Sequence, residues 1–395
     1  MLTRAAAAVA SGLLLAAIHP GLNWFWLAPV ALVPLLWAVG DVGRVRDRFL
    51  LGWLSGFVYW ASMCYWIQGT LNRHGGLDTA GSMGVFLVFA LAKGLHSAVF
   101  GTLGRSAWVA PLLWVGLERT HGPLGFPWLT LGDAGLDSAL AWLAPWTGVY
   151  GLSLVFAFCS VLLLRRQWWA ALVWVVFLFP PSPTAAGREK ALAVQPNFDE
   201  AAPPRDPQRA LFELSRPSEP VRLILWPEMP VGLYFQHDAA LRSRVSELAV
   251  ASKAGVVAGT VAFRSLEQPL NSAQFIDVNG QAVGRYDKMN LVPFGEYVPW
   301  PFDAIVAKVS TEAGTFTGGD RLIAPSLGGH RVGTFICYES AFPHHVRAFV
   351  AGQGAEVLVN LTNDGYFARS AARGQHLALA RMRALENGRW LLRPT

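Results

Sequence analysis

The first 180 residues are a succession of apolar segments, near 5–19, 24–40, 49–68, 80–103, 106–118, 139–164 and 167–180, separated by short polar breaks. A helix that crosses a bilayer needs about 20 mainly apolar residues, so seven candidate spans follow, of which the fifth and seventh are short. An ordinary soluble domain does not carry this much apolar sequence: the whole chain is 53% hydrophobic and only 15% charged. Seventeen Trp and 23 Phe suit a bundle whose ends lie in interfacial aromatic belts. The first segment follows Arg4 as a signal peptide's apolar region would, but no small-residue cleavage site precedes the second segment, so it reads as a retained helix.

Arginine placement orients this bundle. The side of the N-terminus carries Arg4, Arg44, Arg46, Arg48, Arg105, Arg165 and Arg166, whereas the opposite short loops carry Arg73 and Arg119. The positive-inside bias predicts a cytoplasmic N-terminus. After seven spans, the chain beyond about residue 181 then lies outside, in a bacterial periplasm. The net charge of +6 comes without a Lys/Arg-rich run, which favours attraction to anionic lipid over nucleic acid. Lys93 and His96 fall inside the fourth span. An ionisable group there is either functional or, for Lys93, a side chain snorkelling to the cytoplasmic interface. Gly125-Phe126-Pro127-Trp128-Leu129, in the outside loop before the sixth span, reads either as an aromatic interface anchor or as one wall of a lipid site. Cys64 and Cys159 lie in apolar segments as small buried hydrophobes, and no disulfide framework or metal-ligand spacing is present.

Pro180-Pro181-Ser182-Pro183 marks the boundary between a membrane domain over 1–180 and a second domain over 181–395. Beyond it the pattern alternates between strands and helices. Residues 191–195, 221–226, 256–261, 332–336 and 356–361 read as buried strands. Residues 239–253 place Leu241, Val245, Leu248 and Ala249 on one helical face, and a second helix runs near 371–387 to Gly388. Asn279-Gly280, between two strand-like runs, signals a hairpin. The domain is α/β and layered.

Three polar groups stand just after strand-like runs: Glu228 in Leu225-Trp226-Pro227-Glu228, Lys288 in Arg285-Tyr286-Asp287-Lys288, and Cys337 in Phe335-Ile336-Cys337-Tyr338-Glu339. A thiol, a carboxylate and an ammonium are the parts of thiol-dependent acyl transfer: nucleophile, proton acceptor and oxyanion stabiliser. An ammonium beside the thiol is expected to poise it toward thiolate.

These three patterns, in this order and with the run from Tyr286 to Pro299 between them, closely resemble the apolipoprotein N-acyltransferases, the membrane branch of the nitrilase (carbon–nitrogen hydrolase) superfamily. The resemblance covers nearly the whole chain. It implies a multispan α-helical membrane bundle followed by an α/β nitrilase-like αββα sandwich, in the bacterial inner membrane with the catalytic domain in the periplasm. It implies Glu228 as general base, Lys288 as oxyanion-stabilising lysine and Cys337 as the nucleophile that becomes a thioester. Glu296 is then a second essential glutamate, and Tyr338 and Glu339 form the supporting pair after the nucleophile. Trp226, Phe126, Trp128 and Tyr366 are expected at the substrate site. The reaction implied is ping-pong: a membrane phospholipid acylates the cysteine, and the α-amino group of a diacylglyceryl-cysteine apolipoprotein takes the acyl chain. No metal, organic cofactor or nucleic acid is called for, and a monomer is expected.

Two departures from the family pattern stand out. Tyr366 occupies a position that is usually Trp. The chain stops at Leu391–Thr395, where family members continue with further strands and a last membrane helix. The resemblance therefore implies a C-terminally incomplete, loosely held catalytic domain. Two other functions compete with acyl transfer to lipoproteins. A membrane-tethered amidase or nitrilase would show a polar pocket closed to lipid. An inactive scaffold would keep the body of the family without its chemistry.

Overall fold

The computed structural model describes residues 1–104, 106, 108–181, 187–198, 204–265, 267–298 and 316–395. Arg105, Ser182, Pro183, Pro299 and Trp300 lie outside the described residues. The chain divides into two compact units, Met1–Ser182 with Arg369–Glu386, and Pro183–Ala368 with Asn387–Thr395.

The first unit is helical: α1 (Leu2–Ala17), α2 (Val33–Gly40), α3 (Val45–Met63), α4 (Trp66–His74), α5 (Thr79–Leu103), α6 (Ala110–Thr120) and α7 (Ala144–Leu164). Two stretches, Thr79–Leu103 and Ala139–Leu164, are long and apolar enough to cross a membrane. Leu2–Ala17, Phe25–Gly40 and Trp168–Leu178 are apolar but shorter. The second expected span is broken, with Phe25–Val30 as a 3-10 turn around Pro29 before α2 begins. The seventh is a 3-10 segment, Trp168–Leu178. The helices approach closely where side chains are smallest, as in bundles packed by small residues. A Cβ on Gly52 would stand 2.2 Å from the Ser97 carbonyl oxygen, and one on Gly56 would stand 2.7 Å from that of Gly94.

Lys93 does not snorkel. It is buried, its Nζ donates to the Phe126 carbonyl at 3.0 Å, and it lies 4.6 Å from the centre of the Trp60 ring. His121 is a further partner. The carbonyl and ring give the ammonium inside the unit what the interface would otherwise supply.

The second unit is layered. One sheet has the order β1 (Ala191–Ala193), β2 (Leu223–Leu225), β3 (Gly255–Phe263), β4 (Pro269–Ile276), β5 (Ala282–Asp287). The other runs β6 (Ser326–Leu327), β7 (His330–Ile336), β8 (Val357–Leu361), β9 (Trp390–Leu392). The β4–β5 hairpin turns where Asn279-Gly280 predicts, with Gly280 at φ 78°, a conformation glycine takes without strain. Both sheets contribute to one apolar core, Leu225, Val257 and Phe275 from the first and Val332, Phe335 and Leu358 from the second. Helices α8 (Pro207–Leu214) and α9 (Ala239–Ser252) close a second core against β2 and β3 through Leu211, Leu241, Val245 and Ala249. Helix α10 (Pro343–Ala351) adds Val346 and Phe349 to the first core. Helix α11 (Ala372–Asn387) connects β8 to β9 in sequence, yet through Glu386 it belongs to the first unit.

Candidate active site

Four strands of the second unit end at one place. Glu228 follows β2 by way of Trp226 and Pro227, Lys288 follows β5, Cys337 follows β7, and Thr362 with Asn363 follows β8. Strand ends free backbone and side chains from the ladder while the sheet holds them still, which is why α/β sites gather there.

Lys288 is the centre of the charge arrangement. It is 1% exposed, and its Nζ lies 3.2 Å from Oε1 of Glu228 and 2.9 Å from Oε1 of Glu296. Asn271 Nδ2 donates to the same two oxygens, at 2.8 and 2.9 Å. The remaining oxygens are held by backbone: Asn363 N donates to Glu228 Oε2 at 3.1 Å, and Val292 N to Glu296 Oε2 at 2.8 Å. Burial alone would lower the Lys288 pKa, but Glu228 and then Glu296 outweigh it, so the side chain is held well above its ordinary value and stays an ammonium. Removing one member of such a buried set strands the others, at about 3–5 kcal/mol.

Cys337 opens a 3-10 turn, Cys337–Ala341, with φ at 50°. A side chain other than glycine in that left-handed region costs about 1–3 kcal/mol and persists where its surroundings enforce it. Here the turn swings the thiol out of the line of β7, leaving it half-buried. Burial pushes the thiol pKa up, Glu228 pushes it further, and Lys288 opposes them without prevailing. The thiol also hydrogen-bonds with the Thr362 side chain. The balance runs against the expected poise toward thiolate: with one ammonium shared by two carboxylates, the surroundings favour the protonated thiol.

Glu339 anchors the turn from behind. It is fully buried and accepts from the Tyr286 hydroxyl (2.7 Å), Met289 N (2.8 Å) and Asn290 N (3.1 Å) on one oxygen and Ile336 N (2.7 Å) on the other. Burial would raise its pKa, but His345, 3.3 Å away, and these donors hold the carboxyl below its ordinary range. One carboxylate thus ties the residues after Lys288 to the residue before Cys337. Tyr338 is buried and packs edge-to-face on Phe342.

The structure thus brings Glu228, Lys288, Glu296 and Cys337 together, with Glu339 behind them. Trp226 is not at the site: it is 1% exposed in the core shared with α8 and α9, and its indole N–H donates to Ser215. It is a packing residue because Leu225 and Trp226 alternate between the two cores. Tyr366 is exposed on the turn Asp364–Phe367 that follows Asn363. Phe126 and Trp128 are in the first unit, stacked on each other at 5.5 Å, and Trp128 is buried rather than presented as an open anchor. Asn271, Thr362 and Asn363 are hydrogen-bond partners of the candidate site that sequence reasoning missed. Among the described residues, no three His, Cys, Asp or Glu side chains gather as a metal ion would need.

A thiol beside a carboxylate that is itself in contact with a buried ammonium has the parts of acyl transfer through a thioester. Two family models match the chain. Residues 11–162 match the apolipoprotein N-acyltransferase N-terminal domain, and residues 210–395 match carbon-nitrogen hydrolase. The second unit therefore has the nitrilase-like fold. Among curated relatives, the chain is similar to the apolipoprotein N-acyltransferase of Geobacter metallireducens, 35% identical over 96% of this chain and 81% of that protein. It is also similar to those of Ralstonia nicotianae (30%, covering 94% and 78%) and Pseudomonas paraeruginosa (31%, covering 94% and 80%). Among solved structures it is similar to an amidase from Nesterenkonia sp., at 23% identity and a TM-score of 0.35, covering 52% of this chain and 72% of that one. With both halves matched in order and relatives of this identity along nearly its whole length, the chain belongs to the apolipoprotein N-acyltransferase family.

Proposed function

We propose that the protein moves an acyl chain from a membrane phospholipid, through a thioester on Cys337, to the α-amino group of the diacylglyceryl-cysteine that begins an apolipoprotein. The observation that carries this reading is the convergence of Glu228, Lys288 and Glu296, in contact in a buried network, at the strand-end turn that presents the Cys337 thiol.

Each residue has a role in two balanced half-reactions. Cys337 Sγ adds to the donor's ester carbonyl as its proton passes to Glu228, and the Lys288 ammonium stabilises the oxyanion. The intermediate collapses by breaking the ester C–O bond. The departing lysophospholipid oxygen takes the proton from Glu228, leaving the thioester. The acceptor amine then adds to the thioester carbonyl and gives a proton to Glu228. Collapse breaks the C–S bond, that proton returns to sulfur, and the product is an amide. Glu296 keeps Lys288 charged and in place, and Asn271 spaces the two carboxylates.

The substrates argue for the setting. Both are lipids, so the helical residues 1–180 serve as a multi-pass membrane domain in the inner membrane of a bacterium. Residues 181–395 act as the catalytic domain on the periplasmic side, in agreement with the arginine distribution. Tyr366, exposed beside Asn363, is the substrate-contacting residue this reading keeps from those expected, and the enzyme works as a monomer. The test is transfer itself. The purified protein in phospholipid vesicles, given a synthetic diacylglyceryl-cysteine peptide, should yield a peptide heavier by one acyl chain. An unmodified peptide, with free fatty acid as the product, would point to hydrolysis instead. Reporter fusions after residue 185 should read periplasmic and at residue 45 cytoplasmic.

A further inference from the structure

Helix α11 joins β8 to β9, strands of the second unit, but is held in the first unit by buried polar side chains. Gln375 is 2% exposed and has both ends of its amide used. Oε1 accepts from the indoles of Trp66 (3.0 Å) and Trp128 (2.8 Å), and Nε2 donates to the carbonyls of Pro20 (3.2 Å) and Met63 (3.0 Å). The amide's full hydrogen-bonding capacity at a buried position is thus spent on four separate segments. At the preceding residue the backbone itself is close, since a Cβ on Gly374 would meet Pro20 Cβ at 3.1 Å. At the other end of the helix, Glu386 accepts from Val149 N at 2.7 Å. That N–H is free because Gly148 breaks the helical conformation of α7 with φ 66° and ψ −179°.

An apolar stripe can slide by a turn with little loss, whereas a satisfied buried amide fixes one register. What α11 fixes matters for the second unit by chain continuity alone. Upstream of the helix, at the end of β8 and separated from it by the turn Asp364–Phe367 and four more residues, stand Thr362, which hydrogen-bonds the Cys337 thiol, and Asn363, whose N–H holds Glu228. Immediately after it comes β9, paired with β8 through Leu358↔Leu391, and then Pro394, whose carbonyl accepts from Thr362 N at 3.3 Å. Both ends of the helix run into the segments that hold the nucleophile and the base.

We propose that Gln375 is a positioning residue for acyl transfer: it sets the register of α11, and through the chain on either side of that helix it sets Thr362 and Asn363 against Cys337 and Glu228. This rests on the thioester reading above. The experiment compares wild type with Gln375→Met, which removes every polar contact in the same volume, and Gln375→Glu, which keeps an acceptor for the two indoles but cannot donate to the two carbonyls. Rates of acyl-enzyme formation from labelled phospholipid in vesicles are expressed per Cys337 thiol titrated in the folded protein. The same samples are digested with trypsin to follow cleavage at Arg373, Arg381 and Arg389. Expected are a kcat per thiol lower by about tenfold in Gln375→Met and less in Gln375→Glu, a phospholipid KM within about twofold of wild type, and faster cleavage. An unchanged kcat per thiol, with only fewer thiols in folded protein, would reduce Gln375 to a structural role and overturn the proposal, as would a rise in KM alone. If wild type itself forms no acyl-enzyme, the thioester reading fails. The clamp then stands or falls on the trypsin digestion, where unchanged cleavage in Gln375→Met overturns it.

Discussion

The two units bury polar groups to opposite ends. In the second, Lys288, Glu228 and Glu296 converge beside a thiol on a strained turn, and their charges exceed what they can neutralise among themselves. In the first, Gln375, Lys93 and Glu386 converge on backbone carbonyls, indoles and a freed N–H, and each such contact satisfies a group that helix packing would otherwise strand. Buried polarity with a surplus of negative charge facing a nucleophile makes chemistry available. Buried polarity that is balanced specifies how helices sit. Burial alone does not separate the two cases, because Lys93 and Lys288 are both buried. The partners do.

The contrast breaks most sharply at the thiol. Cys337→Ser should reduce transfer to background, because a serine hydroxyl is a far weaker acid than a thiol and its alkoxide is much harder to generate beside the same carboxylates. Cys64→Ala and Cys159→Ala, deep in the first unit, should leave turnover intact in the same assay. Next in size, Glu228→Gln should lower kcat by roughly 10²–10⁴, the usual worth of a general base, with the protein still folded by circular dichroism. A variant as active as wild type would place the base elsewhere.

A smaller effect concerns the resting thiol. Because burial and then Glu228 raise its pKa, alkylation of Cys337 by iodoacetamide should be slow at neutral pH and climb steadily as pH rises into the alkaline range. A rate already at its plateau near pH 7 would mean a stable thiolate and a dominant Lys288. Smaller still is an effect on stability. The folded Glu339 carboxyl lies below its ordinary range, so its contribution is present above the unfolded carboxylate pKa and is lost as pH falls through the lower folded value. Glu339→Gln, which turns an amide toward backbone N–H donors, should cost about 1–3 kcal/mol at neutral pH. It should also flatten the acid limb of a denaturation profile, and an acid limb as steep as wild type's would assign that limb to another group.

How much of this could be read from residues alone differs between the units. The second unit's strands, its hairpin and the residues Glu228, Lys288 and Cys337 were legible, because polar side chains that end short buried runs stand out. Asn271 was not. Ser272 pairs with Asp287, so Asn271 comes alongside Lys288 at the end of the ladder, but a single Asn inside a strand-like run carries no local signal of the two carboxylates it meets from Glu228 and Glu296. Trp226 misled because adjacent residues on a strand face opposite cores. In the first unit, hydropathy located the apolar segments but not their breaks. Pro29 and the 3-10 segment Trp168–Leu178 interrupt what reads as continuous helix. The partners of Lys93 and Gln375 come from segments far away in sequence, and no local pattern announces them.

The central claim is that Cys337 carries the acyl chain, and mass spectrometry of the intact protein and its Cys337 peptide tests it most directly. After incubation with labelled phospholipid, that peptide should gain the mass of one acyl group as a hydroxylamine-sensitive thioester, absent in Cys337→Ser. The mass should disappear when a diacylglyceryl-cysteine peptide is added. Acyl transfer that proceeds with Cys337 unmodified throughout, or an acyl group on any other residue, would contradict the account.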